Sequence, residues 1–178
     1  MRIKKYLMVI ERYFIKKIIY VNVDVYIKKY TKYLKKIGVQ FTGAGIIKYI
    51  DPSAYFDGTD YKLIKLGDNI TISREVMLLT HDYSLTSAFC SIGKYINRHD
   101  GEVFFKKDIV IGNNCFIGAR SSILPGTVIG NDCIIGACTV VKGIIPDGSV
   151  VVGNPCKVIK KTKEYAEYHN KKKDYFIE

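Results

Sequence analysis

"IGNNCFIGARSSILPGTVIGNDCIIGACTVVKGIIP", Ile111 to Pro146, divides into six units of six residues. An aliphatic residue opens each unit: Ile111, Ile117, Ile123, Ile129, Ile135 and Val141. Gly takes the second position in four of them, and Cys115, Ser121, Thr127, Cys133 and Thr139 make the fifth position small. A period of six is neither helical nor simple alternation; it marks a parallel β-helix built from hexapeptides. Each unit supplies a short strand and a turn, and three close a triangular coil. The opening aliphatic residue points inward and stacks on its counterparts above and below. The small residue also points inward, where the coil is narrow, and "GNN" and "GND" suit corners that need φ > 0. Cys115 and Cys133 then fill inward slots and Cys138 sits beside a third, so all three are read as core residues.

Working outward, the same phase appears in "LGDNIT", "ISREVM" and "LLTHDY", opening at Leu66, Ile72 and Leu78. A looser coil starts at Ile50 with "IDPSAY" and "FDGTDY", followed by a four-residue slip. Between Ser84 and Val110 the period fails. An irregular insertion of that length in a regular solenoid points to function. It begins directly after "LLTHDYS", which holds His81, one of three histidines with His99 and His169.

The first 37 residues read as helix: Ile3, Leu7, Ile10, Phe14 and Ile18, then Val23, Ile27, Tyr30, Leu34 and Ile37, recur at steps of three and four, and Gly38 stops the pattern. The apolar stripe is expected to pack on the main body; a basic helix lying on an anionic membrane is the minor alternative. "PDGSVVVGNPCKVIKK" reads as closing strands with a turn at Asn154-Pro155, and a charged helix from Thr162 to Phe176 is expected to cap the open end. The chain thus divides into a helical segment (1–38), a solenoid (39–161) and a terminal helix (162–178).

The 178 residues carry a formal charge of +11, concentrated in Met1–Lys36 and Lys157–Lys173. No nucleic-acid motif accompanies it, and solvated lysines on terminal helices account for it at least as well as an anionic partner. Five cysteines without a C-x-x-C pair fit a reducing compartment. Glu11 and Arg12 interrupt any signal-peptide core, and no uncharged run could span a bilayer, so a cytoplasmic location is expected.

With "ISREVMLLTHDYS", the loop, "ILPG" and "VGNPCKVI" in this order, residues 50–161 resemble the left-handed β-helix acetyltransferases. The similarity is greatest to the maltose/galactoside O-acetyltransferase type and its relatives in polysaccharide biosynthesis. The resemblance implies a left-handed coil, a homotrimer with active sites between neighbouring subunits, and transfer of an acetyl group from acetyl-CoA to a hydroxyl by direct attack. A sugar hydroxyl of a surface polysaccharide or its precursor is the expected acceptor. An antibiotic hydroxyl, as for virginiamycin and chloramphenicol acetyltransferases of this fold, or a catalytically silent scaffold are the alternatives.

A hydroxyl needs a base that titrates near neutrality, which imidazole supplies. His81 matches the family's catalytic histidine. Asp82 is the secondary catalytic candidate, to orient the ring or hold the sugar, and Tyr83 stands where many relatives carry a second His. Gly118-Ala119 is the candidate oxyanion donor through a corner N–H. Phe116 and Ala137 would line the pantetheine arm, and Lys142, Lys157 and Lys160 would pair with the CoA phosphates. Asp57 matches a sugar-contacting Asn or Asp, although a turn residue is the plainer reading. His99 and His169 are expected at the surface. A zinc site of the β-helix carbonic anhydrase kind is not expected, because residues 111–146 hold no second histidine.

Overall fold

A computed structural model describes residues 2–58, 60–94 and 101–177. From Gln40 the chain climbs a three-sided coil of short parallel strands. The first face stacks Gln40–Phe41, Ile64–Leu66, Ile109–Ile111, Val128–Ile129 and Ile144–Ile145. The second stacks Tyr49–Ile50, Thr71–Ile72, Phe116–Ile117, Ile134–Ile135 and Ser149–Val152, and the third Tyr55–Phe56, Met77–Leu78, Ser122–Ile123 and Val140–Val141. Register sets each opening aliphatic residue on the next, as in Ile50, Ile72, Ile117 and Ile135. All six opening residues from Ile111 to Val141 are buried, and so are the five small residues between them. Each aliphatic side chain withdrawn from water contributes roughly 1.5–3 kcal/mol. The coil also begins earlier than the hexapeptide phase implies, because Gln40 and Phe41 pair with Lys65 and Leu66.

The "GNN" and "GND" corners do adopt positive φ. Positive φ falls on the second Asn or Asp, at Asn69, Asn114 and Asp132, not on the glycine. Their side chains form a ladder up the corner: Asn69 Nδ2 donates to Asn114 Oδ1 at 2.8 Å, and Asn114 Nδ2 to Asp132 Oδ1 at 2.7 Å. Gly112 is required by proximity, since a Cβ there would lie 2.7 Å from the Gly130 carbonyl carbon in the coil above. Cys138 departs from the core reading. It occupies a left-handed corner (φ 58°) and is exposed, so only Cys115 and Cys133 fill inward slots.

The N-terminal helix is broken in two: α1 (Arg2–Lys17) and α2 (Val23–Ile37) flank a 3-10 turn at Ile18–Tyr20. Asn22 Oδ1 caps α2 by accepting the Val25 N–H, and Gly38 (φ 116°) ends it. Tyr26, Tyr30, Tyr33 and Leu34 of α2 are buried against the first coil, and the Tyr26 hydroxyl donates to the Ile50 carbonyl at 2.7 Å. The packing expected of α1 fails at Leu7, Ile10 and Phe14, which are exposed; its fully packed residue is Ile15. The reason is geometric: α2 occupies the solenoid surface, and α1 packs on α2 and reaches the coil at the Pro52 turn, where Lys16 Nζ donates to the Pro52 carbonyl.

The insertion is more regular than expected. Helix α3 (Ser84–Ser91) follows His81 directly, and Phe105–Lys106 returns to pair antiparallel with His81–Asp82. Residues 95–100, His99 among them, lie outside the described residues. At the other end Lys157–Lys161 runs antiparallel to Ser149–Val152 across the Asn154-Pro155 turn and covers that sheet edge. Helix α4 (Thr162–Lys172) stops at Lys173, which adopts a left-handed conformation (φ 52°), instead of continuing to Phe176. It buries none of its residues, so the hairpin strand and not the helix protects the final sheet edge.

Candidate active site

One edge of the prism, where the third face turns back into the first, gathers most of the chemistry. It carries Asp57 in the first coil, Thr80–Asp82 in the second, Leu124–Pro125 in the third and Lys142 in the fourth. Asp57 is 1% exposed and is not a surface turn residue. Its Oδ2 accepts from the Thr80 N–H at 2.9 Å, from Thr80 Oγ1 at 2.8 Å, and contacts His81 Nδ1. An oxygen already accepting a backbone N–H faces Nδ1 as an acceptor, so Nδ1 donates. In the neutral ring that leaves Nε2 as the basic nitrogen. The acid held against His81 is therefore Asp57, one coil below, and not its neighbour Asp82.

Asp82 turns the other way along the strand. Its Oδ1 accepts the Ser84 N–H at 2.8 Å and so starts α3. That backbone bond, with the Ser84 hydroxyl, holds the Asp82 carboxyl below the usual carboxylate range. Aromatic rings enclose His81 on the loop side. Tyr83 meets it edge-on at 5.1 Å, and Phe104 lies 4.7 Å from Tyr83 and 6.4 Å from His81. Beside this group opens a cleft of about 250 Å³ lined by Asp82, Phe105, Lys107, Leu124, Pro125 and Lys142.

The remaining candidates sit elsewhere. Phe116 is on the second face and 44% exposed; Gly118, Ala119 and Ala137 follow at the edge between the second and third faces. The coils touch there: a Cβ on Gly118 would lie 2.5 Å from the Ala137 nitrogen. The Gly118 N–H donates to the Ile135 carbonyl at 2.8 Å, so it is a ladder bond and not an oxyanion donor. Of the expected pair, Ala119 is the one left for that role. Lys157 and Lys160 are exposed on the closing strand, and Lys160 Nζ lies 5.8 Å from the ring centres of both Tyr165 and Tyr168. One chain thus does not bring the His81 group and the Gly118–Ala137 group together.

The bacterial transferase hexapeptide family (six repeats) matches residues 108–143. Protein CapG of Staphylococcus aureus is 36% identical over 156 residues, covering 81% of this chain and 85% of its own length. The chain belongs to the hexapeptide-repeat acetyltransferases. The putative lipopolysaccharide biosynthesis O-acetyl transferase WbbJ of Escherichia coli K12 is 26% identical over 122 residues, or 67% of this chain and 62% of its own. A maltose O-acetyltransferase from Clostridium difficile 630, known from its crystal structure, matches with a TM-score of 0.54 and 26% identity over 87% of this chain and 88% of that one. This hexapeptide-repeat acetyltransferase is accordingly an acyltransferase that uses acetyl-CoA, and its coil is left-handed, against the right-handed rule for parallel crossovers. Among the described residues no helix is long and apolar enough to cross a membrane.

Sequence reasoning on this acetyltransferase missed Thr80 as the second donor to Asp57, Phe104 as part of the aromatic wall, and the pairing of Asp57 with His81. A signal existed. Phe56 and Leu78 both open units, so they stack in register, and that register sets Asp57 beneath Leu79 and Thr80. The four-residue slip after Tyr61 hides the relation in the linear sequence.

Proposed function

We propose that this chain acetylates a saccharide hydroxyl of a surface polysaccharide or its precursor, with His81 as the general base. The observation that carries this reading is the buried Asp57, which grips the Nδ1 side of His81 and so leaves Nε2 as the basic nitrogen of the neutral ring. In the reaction the acceptor hydroxyl gives its proton to Nε2 while its oxygen bonds to the thioester carbonyl carbon. The carbon–sulfur bond then breaks, and the departing sulfur takes the proton back from His81. Asp57 holds the ring through both transfers and compensates the positive charge that forms on it. Asp82 shapes the entrance to α3 and the cleft. Tyr83 and Phe104 offer rings on which a sugar face can rest.

Acetyl-CoA fits the second group of residues. Gly118 and Ala137, on successive coils, present nothing larger than a methyl, so an extended pantetheine arm can lie along that edge beside Phe116. The Ala119 N–H is the donor for the developing oxyanion; Lys157 of the same chain, and Lys142 on the neighbour's His81 edge, are the cations for the phosphates. Because the two groups occupy different edges, the working unit is a ring of copies in which one chain's His81 edge faces its neighbour's Ala119 edge. Such a head-to-tail contact closes under threefold rotation, which supports a homotrimer. The likeness to the putative lipopolysaccharide biosynthesis O-acetyl transferase WbbJ and to a maltose O-acetyltransferase supports the saccharide.

The test is thiol release from acetyl-CoA in the presence of candidate oligosaccharides. His81→Ala is expected to lower kcat by about 10²–10⁴-fold, the ordinary worth of a positioned base. Equal rates in variant and wild type would overturn the assignment.

A further inference from the structure

The N-terminal helix pair presents a surface that the solenoid chemistry does not use. Lys28, Lys29, Lys32 and Lys36 recur at three- and four-residue steps on α2, all exposed and away from the face buried on the first coil, while Lys35 leans back on the coil with Nζ 5.1 Å from the Phe41 ring centre. Beside them α1 exposes Leu7 at 61%, Ile10 at 51% and Phe14 at 64%. The two sets adjoin: Phe14, Ile15 and Ile18 share a groove of about 740 Å³ with Lys29, Lys32 and Lys36. Glu11, paired with Lys36 at 2.6 Å, is the acid that lines it. Apolar side chains of this size standing in water beside a lysine row form a two-part surface, and its occupant has to satisfy both parts.

We infer that this helix pair docks on an anionic phospholipid surface, with the α1 side chains entering the interfacial layer and the α2 lysines meeting the headgroups. Charge complementarity selects this occupant. A bilayer rich in acidic lipid rewards both features at once, because basic residues are drawn to the surface potential and apolar ones to the acyl boundary. A nucleic acid would engage the lysines and leave Leu7, Ile10 and Phe14 in water. A second copy mated face to face would set one lysine row against another on a chain already at +11. Neither α1 nor α2 is long and apolar enough to cross the bilayer, so the association is peripheral and reversible. It would bring the acetyltransferase to acceptors held at a membrane, a consequence that rests on the proposed saccharide activity; the docking itself does not.

Co-sedimentation of the full chain with vesicles tests it. Wild type is expected to bind vesicles of phosphatidylglycerol and phosphatidylcholine, to release as salt is raised, and to ignore pure phosphatidylcholine. Reversing Lys28, Lys29, Lys32 and Lys36 to Glu is expected to lower partitioning about tenfold or more, and Leu7→Ser with Phe14→Ser to lower it at unchanged charge. Acetylation of a water-soluble acceptor should be unaffected by either set, which separates this proposal from the catalytic one. No binding to acidic vesicles, or binding that survives both sets, overturns it. So does a Leu7/Phe14 variant that changes the oligomeric state instead, which would make the face a subunit contact, or equal binding to duplex DNA that needs only the lysines.

Discussion

At the scale of the residue, the decisive object is one carboxylate oxygen with three partners. Asp57 Oδ2 holds Thr80 twice and His81 once, so the ring's orientation depends on a residue 24 positions earlier in the chain. Asp57→Asn replaces an oxygen that can only accept with an amide that can also donate, and it removes the charge that steadies a protonated ring. Steady-state kinetics on Asp57→Asn are expected to show kcat lowered by up to about 10⁴-fold, as for an orienting aspartate in a hydrolase triad. Asp82→Asn keeps kcat near wild type, because Asp82 serves the start of α3. Equal losses in the two variants would contradict this division of labour. Gly112 offers a separate test of stability: a methyl would press on the Gly130 backbone, which cannot rotate away. Gly112→Ala should lower unfolding free energy by about 1–3 kcal/mol, the usual cost of overpacking, read from urea titration. Gly143, with nothing within 4 Å of its missing Cβ, has no such steric conflict to relieve.

At the scale of the element, the insertion acts as a clip and not as a loose loop. Phe105–Lys106 pairs with His81–Asp82, and the Lys107 N–H donates to the Thr80 carbonyl at 3.0 Å. The strand that carries His81 is thereby tied on one side to Asp57 and on the other to the returning loop. Lys107→Pro deletes that donor, worth about 1 kcal/mol, and frees the hairpin. The expected result is a lower kcat with almost no change in melting temperature, since the stacked coils do not depend on the clip. Lys107→Ala, which keeps the N–H and removes the cleft-lining side chain, separates the backbone effect from the loss of the cation. A melting temperature that fell in step with activity would show the hairpin to be part of the core.

For the whole molecule, the prediction is one of assembly. The His81 edge and the Ala119 edge cannot meet within a chain, so the active species should scatter light as three copies of the 20.2 kDa chain. Mixing His81→Ala chains with chains altered at the other edge, for instance Ala119→Pro, should restore some activity through mixed rings; two dead variants that stay dead together would refute shared sites. What the sequence determined by itself was the solenoid. A hexapeptide repeats its physics every six residues, so inward aliphatics, small slots and corner asparagines are all visible locally, and Leu66, Ile72 and Leu78 fell in phase with them. His81 stood out as a candidate base because its unit is the last before the period breaks at Ser84. The structure alone decided what depends on stacking between coils: that the acid gripping His81 is Asp57 and not the secondary candidate Asp82, that the Gly118 N–H belongs to the ladder, that Cys138 faces solvent, and that α1 leaves Leu7, Ile10 and Phe14 bare. Each of these turns on a neighbour one coil away or one helix away, and a one-dimensional pattern carries no record of which surface that neighbour has already covered.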